Sequence, residues 1–448
     1  MSDRRGPAGA AQPDPHRATR PDPLPVAPLA GTLDARVVVP GSKSATNRAL
    51  TVAALAGGSS RLRGALLSDD TEAMIDSLRR AGWAIDAHDD GTTLDVGGRT
   101  DPAPDDEVCA LDARLSGTTA RFLAPLCALD GRRYRLDGAP QLRARPMGPG
   151  FDALRALGAT VEPLGGAPDR LPVGIQGPLR GGQVSLPANV SSQFVSGLLM
   201  VAPLLPGGLR IELTTDAVSQ PYLDLTVAVM AEFGSGVQRI DARTYDVRPG
   251  RYVGRDVAIE PDASAASYFF AAAAICGGRV RVEGLGRNTV QGDLAFVDVL
   301  ERMGCGVAVG SEATEVWGDG ALAGVDVNLA DLSDTAPTLA AVAAFARGPV
   351  RARGIGFIRA KETDRIAAVV TELRRLGVDA VEEDDGFLVR PGAPHGGVVQ
   401  TYDDHRMAMS FALVGLRVPG VAIADPGCVA KTFPGYWDAL DGLRRQVV

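Results

Sequence analysis

Cysteine, histidine and aromatic residues are scarce in this 448-residue chain, and each shortage removes a class of explanation. The five cysteines, Cys109, Cys127, Cys276, Cys305 and Cys428, are scattered, odd in number and free of any CxxC spacing. That argues against a disulfide framework and for reduced thiols in a cytoplasm. Four widely spaced histidines make no cluster with metal-ligand spacing, so no metal is expected. No apolar run reaches the roughly 18 residues a membrane span needs. Positive charge is also in deficit, at a net −8, which removes the field a general nucleic-acid binder requires. Any anion site must therefore be a local concentration of cations. The first 28 residues lack the apolar segment of a signal peptide and carry acids that a transit sequence avoids; they read as a disordered tail.

What the chain has in excess is repetition. "TNRALTVAALAGGSSRLRG" (46–64), "TARFLAPLCALDGRRYRLDG" (119–138) and "QFVSGLLMVAPLLPGGLRIEL" (193–213) each read as an Ala/Leu-rich helix, a Gly stop and a short alternating strand. "ASYFFAAAAICGGRVRVEG" (266–284), "TLAAVAAFARGPVRARG" (338–354) and "HRMAMSFALVGLRVPGVAIAD" (405–425) repeat the pattern at intervals of roughly 70 to 76 residues. A second series interleaves with the first. Its amphipathic helices end at Gly82, Gly158, Gly234, Gly304 and Gly377, and "FPGYWDALDGLRRQ" (433–446) is the sixth copy. Each unit thus holds two helices and several strands, which predicts a mixed α/β (α+β) fold. Units near 75 residues are too long for an ordinary solenoid and predict three repeats closing into a globular lobe, twice. The expected lobes are residues 41–260, and residues 29–40 with 261–448. The strand in "DARVVVPG" (34–41) is expected to belong to the other half, with two crossings of the chain between the lobes.

Chemistry collects where the helices begin. Ser, Thr and Asp there are ordinary N-caps, but Lys43, Arg48, Arg145, Lys361, Arg365, Arg406 and Lys431 are not. Cations are weakly disfavoured at a helix start, by a few tenths of a kcal/mol, unless an anion offsets them. Seven of them at one level of a repeating fold predict a shared cleft able to hold roughly six negative charges, as on two phosphates and two carboxylates. Left empty, such a cluster repels itself, which predicts a cleft that opens and then closes on its ligands.

The motifs "PGSKSATNRAL", "NVSSQF", "SQPYLD", "AKETDR", "DDHRMAM" and "AKTFPGYW" run in order from residue 40 to residue 437. They resemble those of the 5-enolpyruvylshikimate-3-phosphate synthases of class I. The resemblance implies two domains of three βαβαββ units with the active site between them. It further implies transfer of the enolpyruvyl group of phosphoenolpyruvate to the 5-hydroxyl of shikimate 3-phosphate, with release of phosphate. Carried over by motif, Lys43, Ser44, Arg48, Ser191, Ser192, Gln193, Ser219, Tyr222, Asp334 and Lys361 would meet shikimate 3-phosphate. Lys43, Gly117, Arg145, Gln193, Arg365, Arg406 and Lys431 would hold phosphoenolpyruvate. Asp334 would be the base on the 5-hydroxyl, with a helix N-cap as its plainer alternative, and Glu362 with Lys43 would move the proton at the methylene carbon. Positioning two substrates supplies about 7–11 kcal/mol, so no cofactor is expected, and a monomer without macromolecular partners suffices.

Three positions depart from the family pattern: Leu115 and Phe357 stand where Asn is frequent, and Gln220 where Lys is frequent. A related transferase acting on UDP-N-acetylglucosamine uses a loop Cys, and "GAPQLRARP" (138–146) has none. A silent binding protein would have lost some of the seven cations. A diverged enzyme acting on a related cyclitol stays open, because the departures lie near the shikimate side.

Overall fold

Several helices of this chain are buried on every side, and the architecture follows from where they hide. Gly117–Cys127, Ala336–Ala343 and His405–Gly415 bury every one of their residues, Arg121, His405 and Arg406 included. The structure, a computed structural model, describes residues 20–99 and 108–448. In it Lys43–Leu55, Gly117–Cys127 and Ser192–Val201 pack on one another, and Ala263–Cys276, Ala336–Ala343 and His405–Gly415 form a second such trio. Each trio is the centre of its own hydrophobic core. One core runs from Ala45 to Ile259; the other joins Leu24–Val39 to Ala263–Leu443. The second helix series lies outside these trios. Asp69–Arg80 turns Ala73, Met74, Ile75 and Leu78 inward and leaves Arg79 and Arg80 exposed. All five glycines read as its stops, Gly82, Gly158, Gly234, Gly304 and Gly377, have φ between 81° and 107°, where a side chain would be strained.

One unit illustrates the rest. Strand Cys109–Asp112, helix Gly117–Cys127, strand Tyr134–Asp137, helix Gly148–Ala156 and strands Thr160–Pro163 and Val173–Gln176 follow in order. The first two strands pair in parallel, and the last strand sits antiparallel between the second and third. Among the described residues five of the six sheets have this arrangement, which is the two-lobed βαβαββ fold that the motifs imply. Two strands are exchanged between the lobes. Leu33–Val37 pairs with Gly278–Glu283, as expected of the strand ahead of the first helix, and Asp256–Ala258 pairs with Ser60–Arg63. The chain therefore crosses twice, side by side. Ser42 N donates to Glu260 O at 2.8 Å and Asp262 N to Pro40 O at 2.8 Å. Gly41 must be glycine at this crossing, since a Cβ there would lie 1.9 Å from the Gly64 carbonyl oxygen.

The reading of residues 1–28 as a tail needs correction. Residues 1–19 lie outside the described residues, but 20–28 are built into the second lobe. Leu24–Pro25 pairs with Val421–Ile423, and Val26 N and Leu29 N donate to Val421 O and Leu416 O. The sixth repeat ends without a hairpin of its own, and this segment fills the place beside its second strand. Proline-rich composition concealed the role, because a two-residue strand needs little β propensity when its neighbour is already ordered.

Candidate active site between the lobes

The ends of the helices, more than their faces, build the cleft. Lys43–Leu55, Gly117–Cys127 and Ser192–Val201 present their first residues from one lobe, and Arg365–Arg375 and His405–Gly415 from the other, around a cavity of about 620 Å³. Ser42, Ser116, Ser191, Asp364 and Asp404 cap these starts through side-chain oxygens. Aligned helix dipoles and leftover N–H groups make such a convergence attractive to anions.

Of the residues singled out in the sequence, the first lobe sends Lys43, Ser44, Gly117, Arg145, Ser191, Ser192, Gln193, Ser219 and Tyr222 to the cavity. The second sends Asp334, Lys361, Glu362, Arg365 and Arg406. Lys431 stands beside them, its Nζ donating to Asp70 Oδ1 and to the Leu115 carbonyl, each at 2.9 Å. Leu115 thus serves through its backbone, and the missing Asn side chain does not bear on this contact. Phe357 lines the cavity with Lys361 Nζ 6.0 Å from its ring centroid, and Gln220 bonds Asp224 and Tyr245 of its own lobe.

Arg48 is the exception. It is 1% exposed, and every guanidinium nitrogen is used inside the first lobe. Its donors meet Thr226 Oγ1, Ser196 Oγ and the carbonyls of Ser44 and Tyr222 at 2.8–3.3 Å. Burial drives its pKa down to about 10. One turn deeper than Ser44, the side chain meets two neighbouring helices before it can reach the cavity. It braces the site from below.

Carboxylates interleave with the cations. Arg365 is 1% exposed and binds three of them: Asp404 (2.8 and 3.3 Å), Glu362 (2.8 Å) and Asp334 (3.1 Å). Four of its five N–H groups are thereby used. Arg406 reaches Asp334 Oδ2 at 2.6 Å, Lys43 reaches Asp70 at 3.4 Å, and Arg145 reaches Glu362 at 3.6 Å. The repulsion expected among the cations is offset by these pairs, and Arg145–Glu362, like Lys431–Asp70, spans the two lobes. Burial alone would raise the pKa of Asp334, but Arg406, Lys361 and Arg365 outweigh it and hold the carboxyl well below the usual range. Glu362 is likewise held well down, by Arg365, Arg145 and Lys431 against its burial. For Lys361 burial wins and pushes the pKa to about 8. Asp334 does not cap the helix that follows it: Thr335 occupies that position, and the carboxylate faces the cleft.

Arg121, Asp70, Asp404 and His405 were missed. Arg121 donates to Gln193 Oε1 at 2.9 Å and to the Pro146 carbonyl at 3.3 Å, with the Phe194 ring 5.0 Å away. Gln193 in turn donates to Thr118 Oγ1 at 2.9 Å, so its amide is held in one orientation. A Cβ on Gly117 would fall 2.8 Å from Arg145 Nη1 and 3.0 Å from Arg121 Nη1, so the glycine makes room for two guanidinium groups. His405 is buried in the cleft wall, and burial together with Arg406 holds its pKa well below 6.5. Arg121 and His405 were visible in "LSGTTAR" and "DDHR", but only packing shows that they face the others.

The family model for EPSP synthase (3-phosphoshikimate 1-carboxyvinyltransferase) matches residues 29–440. The chain belongs to the EPSP synthase family. Curated relatives named 3-phosphoshikimate 1-carboxyvinyltransferase include one from Nostoc sp., 46% identical over 418 residues, which are 93% of this chain and 98% of the relative. Another, from Methanoculleus marisnigri, is 42% identical over 92% of this chain and 97% of its own length. The solved EPSP synthase of Acinetobacter baumannii superposes with a TM-score of 0.78 at 26% identity, covering 94% of this chain and 97% of that one. The enolpyruvyl transferase NikO from Streptomyces tendae shares the fold, with a TM-score of 0.73 at 19% identity over 93% of this chain and 96% of its own. As an EPSP synthase family member the chain is an enolpyruvyl transferase of the shikimate pathway, acting on phosphoenolpyruvate and shikimate 3-phosphate. No described helix is long and apolar enough to cross a membrane.

Proposed function

We propose that the cleft performs this transfer with its two substrates side by side, each gripped by both lobes. The observation that supports this is the convergence of five helix starts and six cations around one cavity that also contains Asp334 and Glu362. Shikimate 3-phosphate takes the hydroxyls of Ser44, Ser191, Ser192 and Ser219, the ammonium of Lys361, and Asp334 against its 5-hydroxyl, with Tyr222 beside it. Phosphoenolpyruvate takes Arg145, Arg406, Lys431, Gln193 and the last N–H of Arg365, close to Gly117, while Lys43 serves both.

Asp334 accepts the 5-hydroxyl proton as that oxygen attacks C2 of phosphoenolpyruvate, and Lys43 protonates the methylene carbon. In the collapse, Glu362, held ionised by its Arg and Lys neighbours, takes a proton back from the new methyl group as phosphate leaves. The cations stabilise charge on phosphate and carboxylate throughout and need no reorganisation when the charge shifts. The working lobes are residues 41–260, and residues 29–40 with 261–448, hinged at the paired crossings. One chain supplies the whole site, which supports a monomer, and the five unpaired thiols support a reducing cytoplasmic setting.

Phosphate release from phosphoenolpyruvate tests the reading, measured with shikimate 3-phosphate and, separately, with other phosphorylated cyclitols. The expected result is turnover with shikimate 3-phosphate alone. A cyclitol that supports faster turnover would transfer the assignment to that acceptor.

A further inference from the structure

One buried carboxylate close to the cleft has no part in the mechanism above. Asp293 lies at the 3₁₀ turn Gly292–Ala295 and is 5% exposed. Its Oδ2 accepts from the Tyr222 hydroxyl at 3.1 Å and from the Ser264 hydroxyl, while its Oδ1 is buried with no hydrogen-bond partner among the described residues. The same Tyr222 hydroxyl lies 3.3 Å from Asp334 Oδ2. A phenol carries one proton, and here two carboxylates from different elements face it. Tyr222 also lines two cavities. Asp334 lines the cleft, Asp293 lines the neighbouring cavity of about 520 Å³, and Lys43, Ser44 and Arg406 line both as Tyr222 does. The phenol therefore stands in the partition between them.

We propose that Asp293 is the resting place of the proton that Asp334 takes from substrate, reached through the Tyr222 hydroxyl. The inference rests on the assignment of Asp334 as base. As the 5-hydroxyl O–H bond breaks, its electron pair stays on oxygen to form the bond to C2, and the proton goes to Asp334. That proton passes to the Tyr222 oxygen while the phenolic proton moves to Asp293 Oδ2. Asp334 and Tyr222 end unchanged, and Asp293 gains one proton. As the intermediate collapses and the C2–O bond to phosphate breaks, the proton returns from Asp293 through Tyr222 to Asp334 and leaves on the departing phosphate oxygen, because the 5-oxygen is now an ether and cannot take it back.

The charges around the two carboxylates supply the direction. Asp334 touches Arg365 and Arg406 and is a weak base on its own. Among the described residues no cation lies within hydrogen-bonding distance of Asp293, whose partners are Tyr222 and Ser264. Burial, then the charge of Asp334, lift its pKa to about 6 despite Arg406, with Asp262 adding to the rise. Lys43 and Tyr268 complete the charged and titratable groups around its cavity. Asp293 touches neither substrate and acts only through Tyr222.

The test compares Asp293→Asn, Tyr222→Phe and the double variant, in the full chain, with Asp334→Asn as reference. In the native protein kcat should fall below about pH 6, where Asp293 is already protonated and accepts nothing more. In Asp293→Asn, kcat should drop about 10–100-fold with both KM values within threefold, and that acid limb should vanish. Tyr222→Phe should lose a similar factor in kcat, and the double variant no more than the worse single one. Native kcat with an unchanged acid limb in Asp293→Asn overturns the relay. If that variant does not fold, Tyr222→Phe decides, and an intact acid limb there overturns it equally. An active Asp334→Asn would overturn the base assignment and the relay together; an inactive one beside a native-like Asp293→Asn overturns the relay alone.

Discussion

Into the cleft the first lobe sends chiefly neutral donors, the hydroxyls of Ser44, Ser191, Ser192 and Ser219 and the amide of Gln193, whereas the second sends Asp334, Lys361, Glu362, Arg365 and Arg406. Both lobes use the same repeat to aim helix starts at one cavity, so the backbone is shared and the side-chain chemistry is not. Neutral donors suit the repeated recognition of hydroxyls and phosphate, because they cost little to bury once bonded. Interleaved charges suit the step in which protons and phosphate move. The first lobe's own charges, Lys43, Asp70 and Arg145, gather where the lobes meet; Asp70 pairs across with Lys431, and Arg145 with Glu362.

That contrast can be broken by experiment. Asp334→Asn should have the largest effect, lowering kcat about 10²–10⁴-fold with little change in either KM, as for loss of a general base. Equal losses in Ser192→Ala would erase the distinction between the lobes. Next come two buried arginines. Arg365→Met removes a shared cation from three buried carboxylates, leaving Asp334 to Arg406, Glu362 to Arg145 and Asp404 without a Lys or Arg partner among the described residues, and should cost about 3–5 kcal/mol in denaturant unfolding. Arg48→Met leaves only neutral acceptors and should cost about 1–3 kcal/mol. A reversed order would mean that the carboxylate network is not what Arg365 holds.

Gly117→Ala should raise KM for phosphoenolpyruvate about 10-fold by pushing Arg145 aside, and shift KM for shikimate 3-phosphate by less than about threefold. Loss of both affinities alike would count against separate subsites. The smallest effect concerns pH. With its pKa pushed down to about 8, Lys361 is charged below that value and neutral above it. Affinity for the shikimate phosphate should therefore weaken by up to about 10-fold as pH rises from 8 to 9.5, and Lys361→Met should remove the dependence. Ser192→Ala should cost about 2- to 10-fold in the same KM and keep the dependence, since a hydroxyl does not titrate in this range.

Much of this architecture is legible in the sequence. The five positive-φ glycines could be read from their spacing, because a helix stop needs a residue that tolerates the left-handed region. The convergence of cations at helix starts could also be read, since a cation there conflicts with the dipole and asks for an anion. Pairing could not. Lys431 and Asp70 are 361 positions apart, and Arg365 and Asp404 belong to different repeats. Arg48 looked identical in pattern to Lys43, yet its helix position points it at Thr226 and Ser196.

By itself the amino-acid order determined the repeat, the helix ends and the family, because periodicity, stop residues and motifs act over one turn or one loop. Tertiary structure alone decided which charges neutralise one another, that Arg48 turns inward, that residues 20–28 complete the sixth sheet, and that one phenol separates two acids. Those outcomes depend on distances between residues remote along the chain, and electrostatic and hydrogen-bond energies are set by that distance and by burial.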